Sequence, residues 1–311
     1  MKRSQKRYLV WTAPLAAAGL ILAGCNSSNS DNATTDTPET STSAAAEAKV
    51  DQALLDAAAA DYKGYVRQNV DELQRAVKVF TDAVRAGDLQ AAQNAYAPSR
   101  EPWERIEPIA GLIEDIDVKV DARVDDFSGP DDPEFTGWHR LEYLLFEQNT
   151  TEGAAPFADQ LDKDIAELKD QIQYLEIKPV DVSVGAAELI EEVSEGKITG
   201  EEDRYSKTDL WDFGANVEGS RAAIRTLTPA LEKADPELLK QINAGFDSVE
   251  QTLAPLRRGN GWVLFCTEND PNPSPRCPEV TVEPATIDKL KAELAGLSEH
   301  LSEVSGVLGL S

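Results

Sequence analysis

His139 and Glu142 stand at i and i+3 in the segment GWHRLEYLLF, and His139 is one of only two histidines in 311 residues. An imidazole and a carboxylate one helical turn apart can ligate a metal ion together, or can satisfy each other by hydrogen bonding. At 100° per residue, Trp138, Leu141, Leu145 and Phe146 share one broad arc of a helix. His139 and Glu142 fall within that arc, while Arg140 and Glu147 point the other way. The pair therefore looks inward, where an unpaired carboxylate is costly. Either a protein cation or a metal ion must neutralise Glu142. Helix bundles present metal ligands through Glu/His pairs of this kind projecting into the core, provided other carboxylates converge on the same point.

Three stretches offer such carboxylates. SREPWERIEP places Glu104 and Glu107 at i and i+3, with Pro102 near the start of a helix. DARVDDFSG brings Asp121, Asp125 and Asp126 just upstream of the histidine. TGEEDRYSKTDLWDF packs Glu201, Glu202, Asp203, Asp209 and Asp212 among Tyr205, Trp211 and Phe213. Each is also readable as a charge at a helix N-terminus or as a partner of Arg105, Arg123 or Arg204. One ligand from each stretch is the expectation.

Soft ligands are scarce. The only methionine is Met1, and Cys266 and Cys277 bracket CTENDPNPSPRC, a Pro- and Asn-rich run that cannot be helix. Outside the cytoplasm an even pair like this closes a disulfide worth about 2–4 kcal/mol. No further thiols or histidines lie nearby to make a zinc site. Copper(I) is thus disfavoured, and one histidine with several carboxylates suits iron, manganese or zinc, with calcium also open. A hydrolytic zinc centre asks for three good protein ligands and a positioned base, yet no second histidine lies near the first. His300, in LSEHLSEV, reads as a helix-surface residue.

The elements that must position these residues are helices. In VDELQRAVKVFTDAVRAGD, Val70, Leu73, Val77, Phe80 and Val84 recur at spacings of three and four, and Gly87 ends the run. DKDIAELKDQIQYLEI repeats the pattern with Ile165, Leu168, Ile172 and Leu175. Further helices are predicted over GAAELIEEV, over residues 209–232, over DPELLKQINAGFDSVEQTLAPL and over ATIDKLKAELAGLSEHLSEVSGVL. Strand-like alternation is nearly absent, and loops are marked by SGPDDPEF, IKPVDVS and the cysteine-bracketed run. The fold class is all-α. Seven to nine antiparallel helices are too many for one four-helix core, so two four-helix bundles side by side are expected.

The N-terminus reads as a processing signal. Lys2, Arg3, Lys6 and Arg7 precede an apolar run from Tyr8 to Leu22, and Leu22-Ala23-Gly24-Cys25 resembles the lipobox of bacterial lipoproteins, where cleavage precedes a cysteine that is then lipidated. The apolar run is short for a transmembrane anchor. Residues 1–24 are therefore a signal peptide, 25–47 a lipidated Cys25 with a Ser/Thr-rich tether, and 48–311 the folded domain. Removing the signal takes away four basic residues and no acidic ones, moving the net charge from −26 to −30. Such acidity excludes nucleic acid as a partner and suits a domain that attracts cations.

The run YVRQNVDELQRAVKVFTDAVRAGDLQAAQNAYAPSREPWERIEP, then GWHRLEYLLF, then KITGEEDRYSKTDLWDFGANVEGSRAA resembles the imelysin-like domain of the EfeO/EfeM iron-uptake proteins, over roughly residues 50–260. The resemblance implies two four-helix bundles with a metal site around the His-x-x-Glu motif. It implies extracytoplasmic capture of ferrous or ferric iron, with zinc or another divalent cation able to substitute. It also implies an iron permease and a haem peroxidase as partners, and a monomer on a lipid anchor. By motif match His139 and Glu142 become the first ligands, followed by Glu104, then Asp125 and Glu201. Residues 26–50 cannot hold the cupredoxin domain of EfeO-type proteins, so the likeness is to the shorter EfeM type, without copper-linked iron oxidation. Lys207 stands where the family usually has histidine, and the cysteine-bracketed run lies outside the family pattern. Two other functions stay open: a metallopeptidase, since imelysin relatives are classed with peptidases, and a polysaccharide-binding protein that holds acidic polymers through bridging metal.

Overall fold

A computed structural model describes residues 51–310. The expected signal peptide, Cys25 with its expected lipid, and the expected tether lie outside the described residues. Within them the fold is all-α: α1 (Gln52–Arg85), α2 (Leu89–Glu104), α3 (Glu114–Asp121), α4 (Gly137–Glu142), α5 (Ala155–Tyr174), α6 (Pro179–Glu195), α7 (Asp209–Ala234), α8 (Pro236–Leu253) and α9 (Pro284–Val307). The only strands among the described residues, β1 (Arg257–Arg258) and β2 (Gly261–Trp262), form a short antiparallel hairpin. Among the described residues, no helix is long and apolar enough to cross a membrane.

Local chemistry sets the helix ends. Asp51, Asp88 and Asp235 cap α1, α2 and α8 by accepting from backbone N–H groups of the first turn. α6, α8 and α9 begin on proline, whose missing N–H costs nothing there. This start shortens one expected loop. Only the first part of IKPVDVS is loop, because Pro179 opens α6 and the Asp181 carboxylate accepts the Lys178 N–H at 2.7 Å. Pro102 departs from expectation in the opposite sense. It sits inside α2, two residues before its end, and removes one hydrogen bond rather than starting a new helix.

The apolar stripes read from the sequence are buried: Val70, Leu73, Val77, Phe80 and Val84 on α1, and Ile165, Leu168 and Ile172 on α5. α1 packs against α2, α5 and α7, and α3 and α4 close on α5. α6, α7, α8 and α9 pack together as a second group. The two groups are not independent. α7 belongs to both, and nearly all the buried apolar side chains form one continuous core.

Two further features bear on the site. Cys266 and Cys277 are joined by a disulfide, and the loop they close lies against the segment after Gly200. There Asp270 pairs with the buried Lys207 at 2.7 Å and Arg276 Nε donates to the Ser206 carbonyl at 3.1 Å. α4 is only six residues long and widens into a π-helical turn over Tyr143–Glu147, an irregularity that helices use to re-aim side chains at functional sites.

α4 starts at Gly137, whose φ of +78° belongs to the left-handed region. A Cβ there would run into the backbone of Val120 at the end of α3. Only glycine lets these two helix ends approach so closely. Gly137→Ala is expected to cost about 1–3 kcal/mol and to lower the melting temperature by several degrees in a circular dichroism melt. An unchanged midpoint would show that the close approach carries no weight.

Candidate metal centre

α4 delivers His139 and Glu142 to the interior, both buried, with Trp138, Leu141 and Leu145 buried beside them. Phe146 is half-buried beneath the Arg276 guanidinium, 4.7 Å from its ring centroid. The His139 ring lies between carboxylates: Nδ1 is 3.2 Å from Glu142 Oε2, and Nε2 is 3.5 Å from Asp121 Oδ1 and 4.0 Å from Glu202 Oε1. Two sets of potential ligands result, Asp121–His139–Glu202 and His139–Glu142–Asp203, the donor atoms of each lying within 4.8 Å of one another.

Glu142 finds a partner that sequence reasoning overlooked. Its Oε1 accepts the backbone N–H groups of Tyr205 and Ser206 at 2.9 and 2.8 Å, in addition to its contact with His139. Backbone amides therefore share with the imidazole the task of compensating this carboxylate.

Arg100 is the other unforeseen member. It is fully buried on α2, one turn before Glu104, and its guanidinium touches Glu104 at 2.6 Å, Asp212 at 3.3 Å, Glu202 at 3.4 Å and Asp203 at 3.7 Å, together with Asp121. A second buried cation, Lys197, reaches Glu104 at 3.1 Å, Glu107 at 2.7 Å and Glu202 at 3.6 Å. Arg123 pairs with Glu202 from the rim at 3.1 Å. The signal for Arg100 was its i,i+4 spacing to Glu104; nothing in the local sequence marks Lys197.

Of the expected ligands, the structure brings His139 and Glu142 together, while Glu104 is held between Arg100 and Lys197, outside both sets of potential ligands. Asp125 and Glu201 are not with them. Asp125 is 66% exposed and pairs with Arg204, and Glu201 faces solvent. Their inward counterparts are Asp121 and Glu202. Asp121 is the last residue of α3 and accepts Trp103 Nε1 at 3.0 Å, whereas Asp125 sits on a surface turn. Gly200, with φ +82°, turns the chain so that Glu201 points out and Glu202 in. In the third stretch Glu202, Asp203, Asp209 and Asp212 are all buried. Four unpartnered atoms line one face of α7: Asp209 Oδ2, Asp212 Oδ2, Asn216 Oδ1 and Ser220 Oγ, each without a hydrogen bond among the described residues.

Charge and burial oppose each other here. Burial drives the Asp212 carboxyl well above the usual range, and burial with the neighbouring Asp203 does the same to Asp209. Burial lifts Asp203 to about 6 despite Arg100. Asp121 goes the other way: burial would raise it, but Arg100 and His139 hold it well below. For His139, burial and Arg100 push down, yet the hydrogen bonds to Asp121 and Glu142 prevail and lift the ring to about 9. The metal-free imidazole is therefore cationic at neutral pH. By number of groups, Glu104, Glu107, Asp121, Glu142, Glu202, Asp203, Asp209 and Asp212 exceed the cations Arg100, Lys197 and His139 with Arg123 at the rim, and burial raises Asp209 and Asp212 so that part of this acid is held as neutral carboxyl. A hard cation fits this donor set of one imidazole and several carboxylates.

The folded value for His139, about 9, lies above its ordinary 6.5. The protonated ring therefore contributes stability that is complete below pH 6.5 and is lost as pH rises through 9. Asp203 acts earlier: its folded value of about 6 exceeds 3.8, so its destabilising charge is established before that window opens. Melting of the metal-free protein is expected to fall by roughly 5 °C from pH 6.5 to beyond 9, with a flatter profile for His139→Gln. Equal slopes in both proteins would contradict this assignment.

The imelysin family model, described as a peptidase M75 domain, matches residues 58–301. The iron uptake system component EfeO of Yersinia pseudotuberculosis serotype I (strain IP32953) is 47% identical over 266 residues, which cover 85% of this chain and 67% of that protein. The iron uptake system component EfeO of Escherichia coli O157:H7 is 45% identical over 268 residues, covering 85% of this chain and 68% of the relative.

Proposed function

The chain belongs to the imelysin family, and on that premise we propose that it captures iron outside the cytoplasm and passes it on within an uptake system. The ion is held by His139 with Glu142 and Asp203 on one side of the ring and Asp121 and Glu202 on the other. One observation carries the reading. A histidine is buried among more carboxyl groups than there are surrounding cations, and its two ring nitrogens each face a carboxylate at 3.2–3.5 Å. Burying that excess is unfavourable, and an incoming cation relieves it.

Glu104 is a support for the centre in this reading, through Arg100 and Lys197, rather than a direct neighbour of the imidazole. Asp125 and Glu201, being at the surface, serve as part of the acidic exterior that concentrates cations. The relatives named as iron-uptake components favour carriage over peptide hydrolysis. In the cell residues 1–24 are removed, Cys25 carries lipid, residues 26–47 tether the domain to the membrane, and a membrane permease receives the iron beside a haem peroxidase. The domain acts as a monomer.

Binding must displace the proton that His139 carries, so affinity rises with pH up to about 9. Equilibrium dialysis against ferrous iron under anaerobic conditions tests the centre. The wild type is expected to bind, and His139→Ala and Glu142→Ala to bind roughly tenfold or more weakly. Undiminished binding in both variants, or an affinity indifferent to pH between 6.5 and 9, would remove the proposed site.

A further inference from the structure

Lys197 is a lysine in an unusual place. It is 2% exposed, yet it belongs to a single 3₁₀ turn, Lys197–Thr199, between Gly196 and the left-handed Gly200. Its ammonium is ringed by oxygen: Glu107 Oε1 and Oε2 at 2.8 and 2.7 Å, Glu104 Oε2 at 3.1 Å and Glu202 Oε1 at 3.6 Å. Asn216 closes the pocket, its Nδ2 donating to Glu104 Oε2 at 2.9 Å and Glu107 Oε2 at 2.7 Å, while its Oδ1 is buried without a partner. Turned over, the same amide would present that oxygen to a cation.

Two of these carboxylates face both ways. Glu104 Oε1 bonds Arg100 and Oε2 bonds Lys197. Glu202 Oε1 lies 3.6 Å from Lys197 Nζ and 4.0 Å from His139 Nε2. Helix bundles that hold two metal ions use shared carboxylates in this way. Next to Gly196 the surface opens into a concavity of about 420 Å³ lined by Glu188, Glu191, Glu192 and Glu195. The charge of Glu192 reaches both Lys197 and Glu107.

We propose that the pocket of Glu104, Glu107 and Glu202 is a second cation subsite beside the His139 centre, occupied in the metal-free protein by the Lys197 ammonium and taken over by a hard divalent cation that displaces it. This rests on the His139 centre being a cation site. The lysine is a tethered stand-in that keeps the carboxylates compensated and competes with the incoming ion. When displaced, it leaves with its proton and its single charge for the acidic concavity, and the pocket gains one net positive charge. Because a single turn between two glycines carries Lys197, the exchange requires no long helix to unwind.

Manganese(II), a hard ion stable in air, is the probe, applied to the full chain as wild type, Lys197→Gln and Lys197→Arg. By equilibrium dialysis and calorimetry, Lys197→Gln is expected to bind one more ion than the wild type, or the same ions roughly tenfold more tightly, with Lys197→Arg resembling the wild type. Reductive methylation read by mass spectrometry provides a second readout on the unmutated protein. Lys197 is protected without manganese and becomes modified when manganese is bound. A Lys197→Gln protein with unchanged stoichiometry and affinity, or a Lys197 that stays protected in the loaded wild type, would overturn the subsite while leaving His139-dependent binding intact. Loss of all His139-dependent binding would instead overturn the reading beneath it.

Discussion

The Arg100 guanidinium is the contact on which the rest of the centre depends. It is buried completely and touches carboxylates from α2, from the end of α3, from the segment after Gly200 and from α7, with His139 Nε2 of α4 at 3.4 Å. An ion so placed is tolerable only with partners on every side, and removing one member of such a group typically costs about 3–5 kcal/mol. The guanidinium thus fixes where the carboxylates meet, and α7, which packs in both helical groups, transmits that constraint through the common core. Fold and site share one set of interactions.

Arg100 organises the cluster without balancing it. With Lys197 and a protonated His139 it still faces an excess of carboxyl groups, and part of that excess is relieved by protonation, as the raised values of Asp203, Asp209 and Asp212 indicate. Protons and protein cations are then provisional occupants of positions that a metal ion can take. Under the proposed function, metal binding here would exchange one positive charge for another instead of creating buried charge anew. The disulfide-closed loop lies over the same segment through Asp270 and Arg276, so the Lys207–Asp270 ion pair helps to hold that loop in place.

Helical periodicity made the His139–Glu142 pair legible, because burial on a regular helix repeats at a known angle. It also made the stripes of α1 and α5 legible, together with the all-α class. Periodicity fails where the chain is irregular. Asp121 rather than Asp125, and Glu202 rather than Glu201, face inward because a helix end and a left-handed glycine set their directions, and neither follows from spacing. Arg100 and Lys197 were missed for a different reason: Arg100 with Glu104 at i+4 reads as an ordinary surface pair, and Lys197 reads as solvated until the tertiary fold surrounds it with acid. The compensation of Glu142 by two backbone N–H groups was beyond sequence reasoning as well, since the Tyr205–Ser206 backbone meets α4 only in three dimensions. The sharing of α7 between two helical groups is a packing outcome of the same kind.

Under the proposed function, iron sits between the buried imidazole and its carboxylates. Crystals soaked in iron and measured at its absorption edge give the most direct answer. An anomalous peak is expected within bonding distance of His139 and at least two of Asp121, Glu142, Glu202 and Asp203. A peak found only among surface acids such as Asp125 or Glu201, with His139 still held between Asp121 and Glu142, would contradict this placement.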